Sequence, residues 1–346
     1  MTATDGPRRA ILVLGMHRSG TSALAGALVH LGVAAPRSLM PATWENERGY
    51  FESMAFMVFH ETILAAAKSC WNDWRPLSFP YDTPLETGYR NRALTLVETE
   101  FGDARVFVLK DPRACRLVPF WLRALEQAGI APHVLIPFRS PQEVAKSLAA
   151  RDGHMPPGES TALWLRHALD AERDSRGIAR SFVFMDDLLS DWRGTIARIA
   201  RDLDAPWPLD PEAAAAGIDA FISHGLKRHQ SAVGQASADW AGRVFDAFTA
   251  LVDDPASRTA QATLDGIGSA FDQACGLFGG TGYFMDSLPR GARDDFASND
   301  NQPRDGAWDD VTAARRQARL WTLEAQAGDL RRRLETLRDR TGAMTR

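Results

Sequence analysis

The stretch GMHRSGTS, residues 15 to 22, ends an apolar run and opens a helical pattern. A small-residue turn running into a helix aims backbone N–H groups and the positive end of the helix dipole at one point, which favours a phosphate-like anion. The hydroxyls of Ser19, Thr21 and Ser22 add donors, Arg18 adds a cation, and His17 stands inside the loop, where it shapes the turn or meets the ligand. A turn that only packs a helix on a strand needs neither the arginine nor three hydroxyls. Two more cations follow apolar runs, Lys110 in VLKDPR (108–113) and Arg139 in FRSPQEVAKSL (138–148). Arg139 offers a planar donor fork at a strand end, and Ser147, eight residues on, lies on the next helix, so both can meet one phosphate. Lys110 can face charge developing on a transferring group, with Asp111 orienting either Lys110 or Arg113, or the charged residues form a structural salt bridge.

A base, if the chemistry needs one, would be a carboxylate or histidine facing the loop. WENERGYFES (44–53) sets Glu45, Glu47 and Glu52 among aromatic residues, and a carboxylate beside Tyr50 and Phe51 is expected to have a raised pKa. His60 in MVFHETIL is another candidate, although a lone histidine on an amphipathic helix is more often structural. HGLKRHQ (224–230) carries Lys227 and Arg228, a basic pair that suits an anionic ligand or a helix end. Trp44, Trp71 and Trp74 supply stacking surface or packing.

The glycines of GMHRSGTS have the spacing of G-x-x-x-x-G-K-[ST], but Thr21 stands where a nucleotide-hydrolysing loop has the lysine that reaches the terminal phosphates. That counts against an ordinary kinase or NTPase. Strand-x-x-R-S-G-T-S-helix instead resembles the 5′-phosphosulfate loop of sulfotransferases that use 3′-phosphoadenosine 5′-phosphosulfate (PAPS), in which a Lys or Arg precedes Ser-Gly-Thr or Gly-Gly-Thr. FRSPQEVAKSL is similar to the same family's 3′-phosphate motif, an arginine after a strand and a serine eight residues later. VLKDPR looks like the Lys-Asp-Pro element of tyrosylprotein and many bacterial members, and Glu47 to Glu52 resembles the Glu-x-x-Phe-Phe-Asp stretch of glycosaminoglycan sulfotransferases.

The resemblance implies a P-loop NTPase-like fold. It also implies cofactor contacts from His17, Arg18, Ser19, Gly20, Thr21, Ser22, Arg139 and Ser147, with Lys227 or Arg228 standing in for an Arg-Lys-Gly segment absent here. Arg18 and Lys110 would stabilise the departing phosphate and the sulfonate, Glu47 would be the base with Glu52 second, and no metal is expected. The acceptor it suggests is a carbohydrate or small-metabolite hydroxyl. An atypical P-loop kinase and a non-catalytic scaffold with a degenerate nucleotide site are the alternatives.

Those residues need strands and helices to hold them. Apolar runs near 10–14, 105–109, 133–138 and 181–185 alternate with amphipathic segments, which predicts βαβ units and a mostly parallel sheet with helices on both faces, an α/β three-layer fold. From about Pro206 strand signals fade, and 211–223, 236–254 and 256–279 read as helices. The expected organisation is a domain over 9–285 (core 9–205, helical extension 206–285), a polar linker over 286–308 and a coiled-coil-like helix over 309–346. Leu320, Leu323, Ala327, Leu330, Leu334 and Leu337 form a heptad-like seam that suits a homo-oligomer or packing on its own domain.

With 346 residues and 45% hydrophobic content the chain can bury a large core. A net charge of -4 argues against a general nucleic-acid binder. Cys70, Cys115 and Cys275 show no paired spacing, and the apolar run after the basic N-terminus is too short for a signal peptide or membrane span, so a cytoplasmic enzyme is expected.

Overall fold

Four apolar runs form one parallel sheet in the computed structural model, which describes residues 6–43, 46, 48–152, 155–222 and 239–278. The strands are β1 (Arg9–Val13), β2 (Val106–Lys110), β3 (Ala131–Phe138) and β4 (Arg180–Phe184), in the spatial order β2-β1-β3-β4. Arg9 is level with Val106 on one side and Ala131 on the other, and Val134 is level with Arg180. Alternate residues serve opposite faces: Ala10, Leu12 and Leu14 enter one core with Phe107, Val134, Ile136 and Phe182, while Ile11 and Val13 enter a second with Val108, Leu135 and Val183. Burial on both faces explains why the strands read as continuous apolar runs without polar alternation.

Helix α1 (Thr21–His30) covers the second face together with α7 (Met185–Ser190), α8 (Trp192–Asp202) and α9 (Pro211–Phe221). The first face is covered by α2 (Met54–Ala66), α3 (Pro84–Phe101), α4 (Val118–Gln127), α5 (Pro141–Asp152), α6 (Pro157–Asp174), α10 (Trp240–Asp253) and α11 (Arg258–Phe278). A three-layer α/β architecture results, as the strand and helix alternation predicts. Starts are locally encoded: Ser53 accepts from the Phe56 amide at the head of α2, Thr83 from that of Glu86 ahead of Pro84, and Asp210 and Asp239 cap α9 and α10. The outer edge of β2 is met by Ala34, whose amide and carbonyl bond to Val106 and Val108. Helices α3 and α6 add to the elements expected from sequence; α3 buries only Ala93, Leu96, Val97 and Phe101 as apolar residues, too sparse a stripe to stand out. The expected linker and terminal helix, 286–346, lie outside the described residues.

One core residue should tie stability to pH. His167 on α6 is fully buried, and its Nδ1 donates to the Leu163 carbonyl at 2.8 Å, while Nε2 is buried without a hydrogen-bond partner among the described residues. Burial, reinforced by the nearby Arg116 charge, pushes its pKa from 6.5 down to about 4. The unfolded chain therefore takes up a proton that the folded chain resists. The stability this contributes is complete above pH 6.5 and is lost as pH falls toward 4, a loss of about 3 kcal/mol. Urea midpoints measured between those limits should drop for the wild type and drop less for His167→Leu; parallel curves would remove His167 from the account.

Candidate functional site

In the order β2-β1-β3-β4, the chain leaves β1 to build β2 on one side and then crosses to β3 on the other. The loops after β1 and β3 therefore diverge at the carboxyl ends of two adjacent strands, the topological switch point where open α/β sheets bind ligands. Residues 15–22 follow β1, and Arg139 follows β3. Neither glycine of the first loop is replaceable in place. A Cβ on Gly15 would lie 2.8 Å from the Pro137 carbonyl oxygen, and Gly20 has a φ of +87° with its Cβ position 2.3 Å from the Met185 side chain. Arg18 also adopts a left-handed conformation, φ 70°, at a cost of about 1–2 kcal/mol for a residue with a Cβ. Gly20 caps α1 without a side-chain hydrogen bond, and Ser19 is buried with its Oγ unpartnered among the described residues. Thr21 is buried beside Gly15.

Side chains from distant segments converge on this turn. Arg18 Nε donates to Ser147 Oγ at 2.7 Å, across 129 residues of sequence. Ser22 Oγ donates to the Tyr50 carbonyl at 3.2 Å and accepts from Lys110 Nζ at 3.2 Å and from Asn46 Nδ2 at 3.3 Å. Lys110, the last residue of β2, also forms an ion pair with Glu52. Both are almost wholly buried. Burial raises the Glu52 carboxyl above the ordinary carboxylate value, opposed by the Lys110 charge and assisted by Asp111. Phe51, with φ 56°, turns the chain into Glu52 and packs edge-on against Phe221.

Asp111 pairs with Arg113: its Oδ1 accepts from the Arg113 amide at 2.9 Å and from the guanidinium at 3.1 Å. Burial alone would raise this carboxyl, but Arg113 and His60 outweigh it and hold it well below the usual range. His60 Nδ1 lies 3.1 Å from Asp111 Oδ2, in a geometry short of a formed hydrogen bond, so the contact is electrostatic. Trp121 Nε1, which can only donate, bonds to His60 Nε2 at 2.9 Å, so the ring proton sits on Nδ1 facing Asp111. Both nitrogens of this fully buried ring thus face protein groups.

Arg139 is held by Glu143 four residues on, with Nε and Nη2 at 2.9 and 2.8 Å from Oε2. His17 meets the edge of Trp71 with ring centroids 5.1 Å apart. The segment just beyond Trp71 is fixed by buried arginines: Arg116 donates to the Asp73 and Arg75 carbonyls, and Arg166 donates to that of Trp74 at 2.9 Å, both guanidinium groups leaning on Asp170. Of the residues expected at the site, His17, Arg18, Ser19, Gly20, Thr21, Ser22, Glu52, Lys110, Arg139 and Ser147 are described; Glu47, Lys227 and Arg228, with Trp44 and Glu45, lie outside the described residues. Asn46 and Glu143 join the site without having been singled out. Glu143 carried a signal, its helical spacing from Arg139; Asn46 carried none beyond its place in the acidic segment.

No family model and no curated protein matches the chain. Among solved structures it is similar to the sulfotransferase domain from the Synechococcus PCC 7002 olefin synthase, with 16% identity and a TM-score of 0.39 over 74% of this chain and 98% of that one. It is similar also to the sulfotransferase domain from the curacin biosynthetic pathway, with 16% identity and a TM-score of 0.36 over 60% of this chain and 77% of that one. Among the described residues no helix is long and apolar enough to cross a membrane.

Proposed function

We propose that the chain is a PAPS-dependent sulfotransferase that transfers a sulfonate group to a hydroxyl of a carbohydrate or small metabolite by in-line displacement. The observation that carries this reading is the 2.7 Å bond from Arg18 to Ser147. It joins the turn after β1 to the helix after β3 at the switch point, where one extended nucleotide would span both. The residues fit such a donor. The buried Ser19 hydroxyl without a partner, the left-handed Gly20 and the uncapped head of α1 suit a 5′ phosphate group, while Arg139 and Ser147 suit a 3′-phosphate.

When bound, PAPS supplies a sulfonate on a leaving phosphate. In that reaction the acceptor oxygen would bond to sulfur as the bond from sulfur to the phosphate oxygen breaks, the phosphate oxygen keeping the electron pair. Arg18 would neutralise the charge gathering there, and Lys110, which donates to Ser22, would stabilise the sulfonate oxygens. The acceptor proton passes to Glu47 in this reading. Glu52 is the carboxylate that holds Lys110 in place and the second candidate for the proton, its raised pKa suiting uptake.

Calorimetric titration tests the donor class. Adenosine 3′,5′-bisphosphate should bind without magnesium and more tightly than adenosine 5′-monophosphate, and Arg139→Ala should weaken the bisphosphate by about 10- to 100-fold while leaving the monophosphate unchanged. A preference for ATP with magnesium would move the protein to phosphoryl transfer. Binding of neither would leave a scaffold.

A further inference from the structure

We infer that Glu143 sets how tightly the site holds a 3′-phosphorylated nucleotide, as a competitor built into the fold for the Arg139 guanidinium. The inference rests on the reading of Arg139 as a phosphate contact. Nε and Nη2 form the edge by which an arginine grips a phosphate with two parallel bonds, and in this chain that edge already faces Glu143 Oε2 at 2.9 and 2.8 Å. The pair is not a loose surface contact: the side chains are 15% and 9% exposed. Glu143 also sits in the first turn of α5, where the helix dipole favours a carboxylate.

Glu143 and Ser147 are one helical turn apart on α5, so neighbouring positions on one helix face dock both arginines, Arg139 from the loop after β3 and Arg18 from the loop after β1. The two partners differ in charge. The Ser147 hydroxyl is neutral, whereas the Glu143 carboxylate balances Arg139 and repels a second anion. That difference has a use in the proposed reaction. The leaving nucleotide keeps its 3′-phosphate, so every contact that tightens the donor there also retains the product. A counter-charge at the 3′ end lowers both affinities together and lets the spent nucleotide leave.

The test compares wild type and Glu143→Gln by calorimetry at low ionic strength, with adenosine 3′,5′-bisphosphate and adenosine 5′-monophosphate as ligands. Glutamine keeps the side-chain length and one oxygen to accept from Arg139 while it removes the charge and turns the second oxygen into an NH2 donor. The bisphosphate should bind about tenfold tighter to the variant, the monophosphate equally to both, and the gain should shrink at high salt. Weaker bisphosphate binding would overturn the inference by making Glu143 an orienting partner, and an equal change for both nucleotides would overturn it by showing a general effect on the fold. If wild type does not prefer the bisphosphate, the reading of Arg139 fails first and the inference goes with it. A preference in wild type with no gain in the variant sinks the inference alone.

Discussion

Lys110→Met is expected to cost about 3–5 kcal/mol of folding stability near neutral pH, because it strips the partner from a carboxylate that the fold keeps out of water. Glu52 is 3% exposed, and the Lys110 charge is the largest influence opposing the rise that burial imposes on its pKa. Without that charge the Glu52 carboxyl rises further above its unfolded value. The sign follows: an acid whose pKa is raised on folding imposes its cost above the folded pKa, and the cost disappears as pH falls below the unfolded one. The loss in Lys110→Met should therefore be largest at alkaline pH and shrink in acid. Adding Glu52→Leu should recover most of it, since a buried ion pair replaced by apolar groups is often close to neutral. Urea denaturation of the two single variants and the double variant, at several pH values, measures the coupling; additive losses would mean that the pair is not linked.

Arg18→Ala is expected to slow sulfonate transfer by about 10²–10³-fold, the scale of a removed charge-stabilising donor. The measurement is transfer from radiolabelled donor to a panel of sugar and small-metabolite hydroxyls, set beside bisphosphate affinity by calorimetry. Affinity should fall less than rate, because the loop amides and hydroxyls still hold the nucleotide, whereas charge on the leaving oxygen has lost its cation. Arg18→Lys restores the charge without the guanidinium Nε that Ser147 holds at 2.7 Å, so it should recover only part of the rate. A loss confined to affinity would make Arg18 a positioning residue.

The loop was legible because its requirements are local. Gly15 and Gly20 stand at a readable spacing, and the structure gives each a reason, a close carbonyl for Gly15 and a left-handed turn against Met185 for Gly20. The strands were legible for a related reason: a sheet buried on both faces writes itself as short apolar runs such as Ala10 to Leu14. The ion pairs were less so. Arg139 and Glu143 have the spacing of a helical pair, visible in the sequence, but spacing does not say whether the guanidinium meets that carboxylate or a ligand. Lys110 and Glu52, 58 residues apart, have no such spacing, and Asp111, beside Lys110 in sequence, pairs with Arg113 and leaves Lys110 to Glu52.

By itself the sequence determined the α/β class, the glycine turn after the first strand and the cations that flank it, because apolar runs, glycine spacing and the change from strand to helix are properties of contiguous residues. Tertiary structure decided which of those cations meet and with what charge beside them. Arg18 reaches Ser147 because β1 and β3 are neighbours in the sheet, and the two ring nitrogens of His60 face Asp111 and Trp121 because β2 and α4 bring those residues against α2. A residue's type and local pattern travel with the chain, but its partners and its distance from water depend on which strands lie side by side.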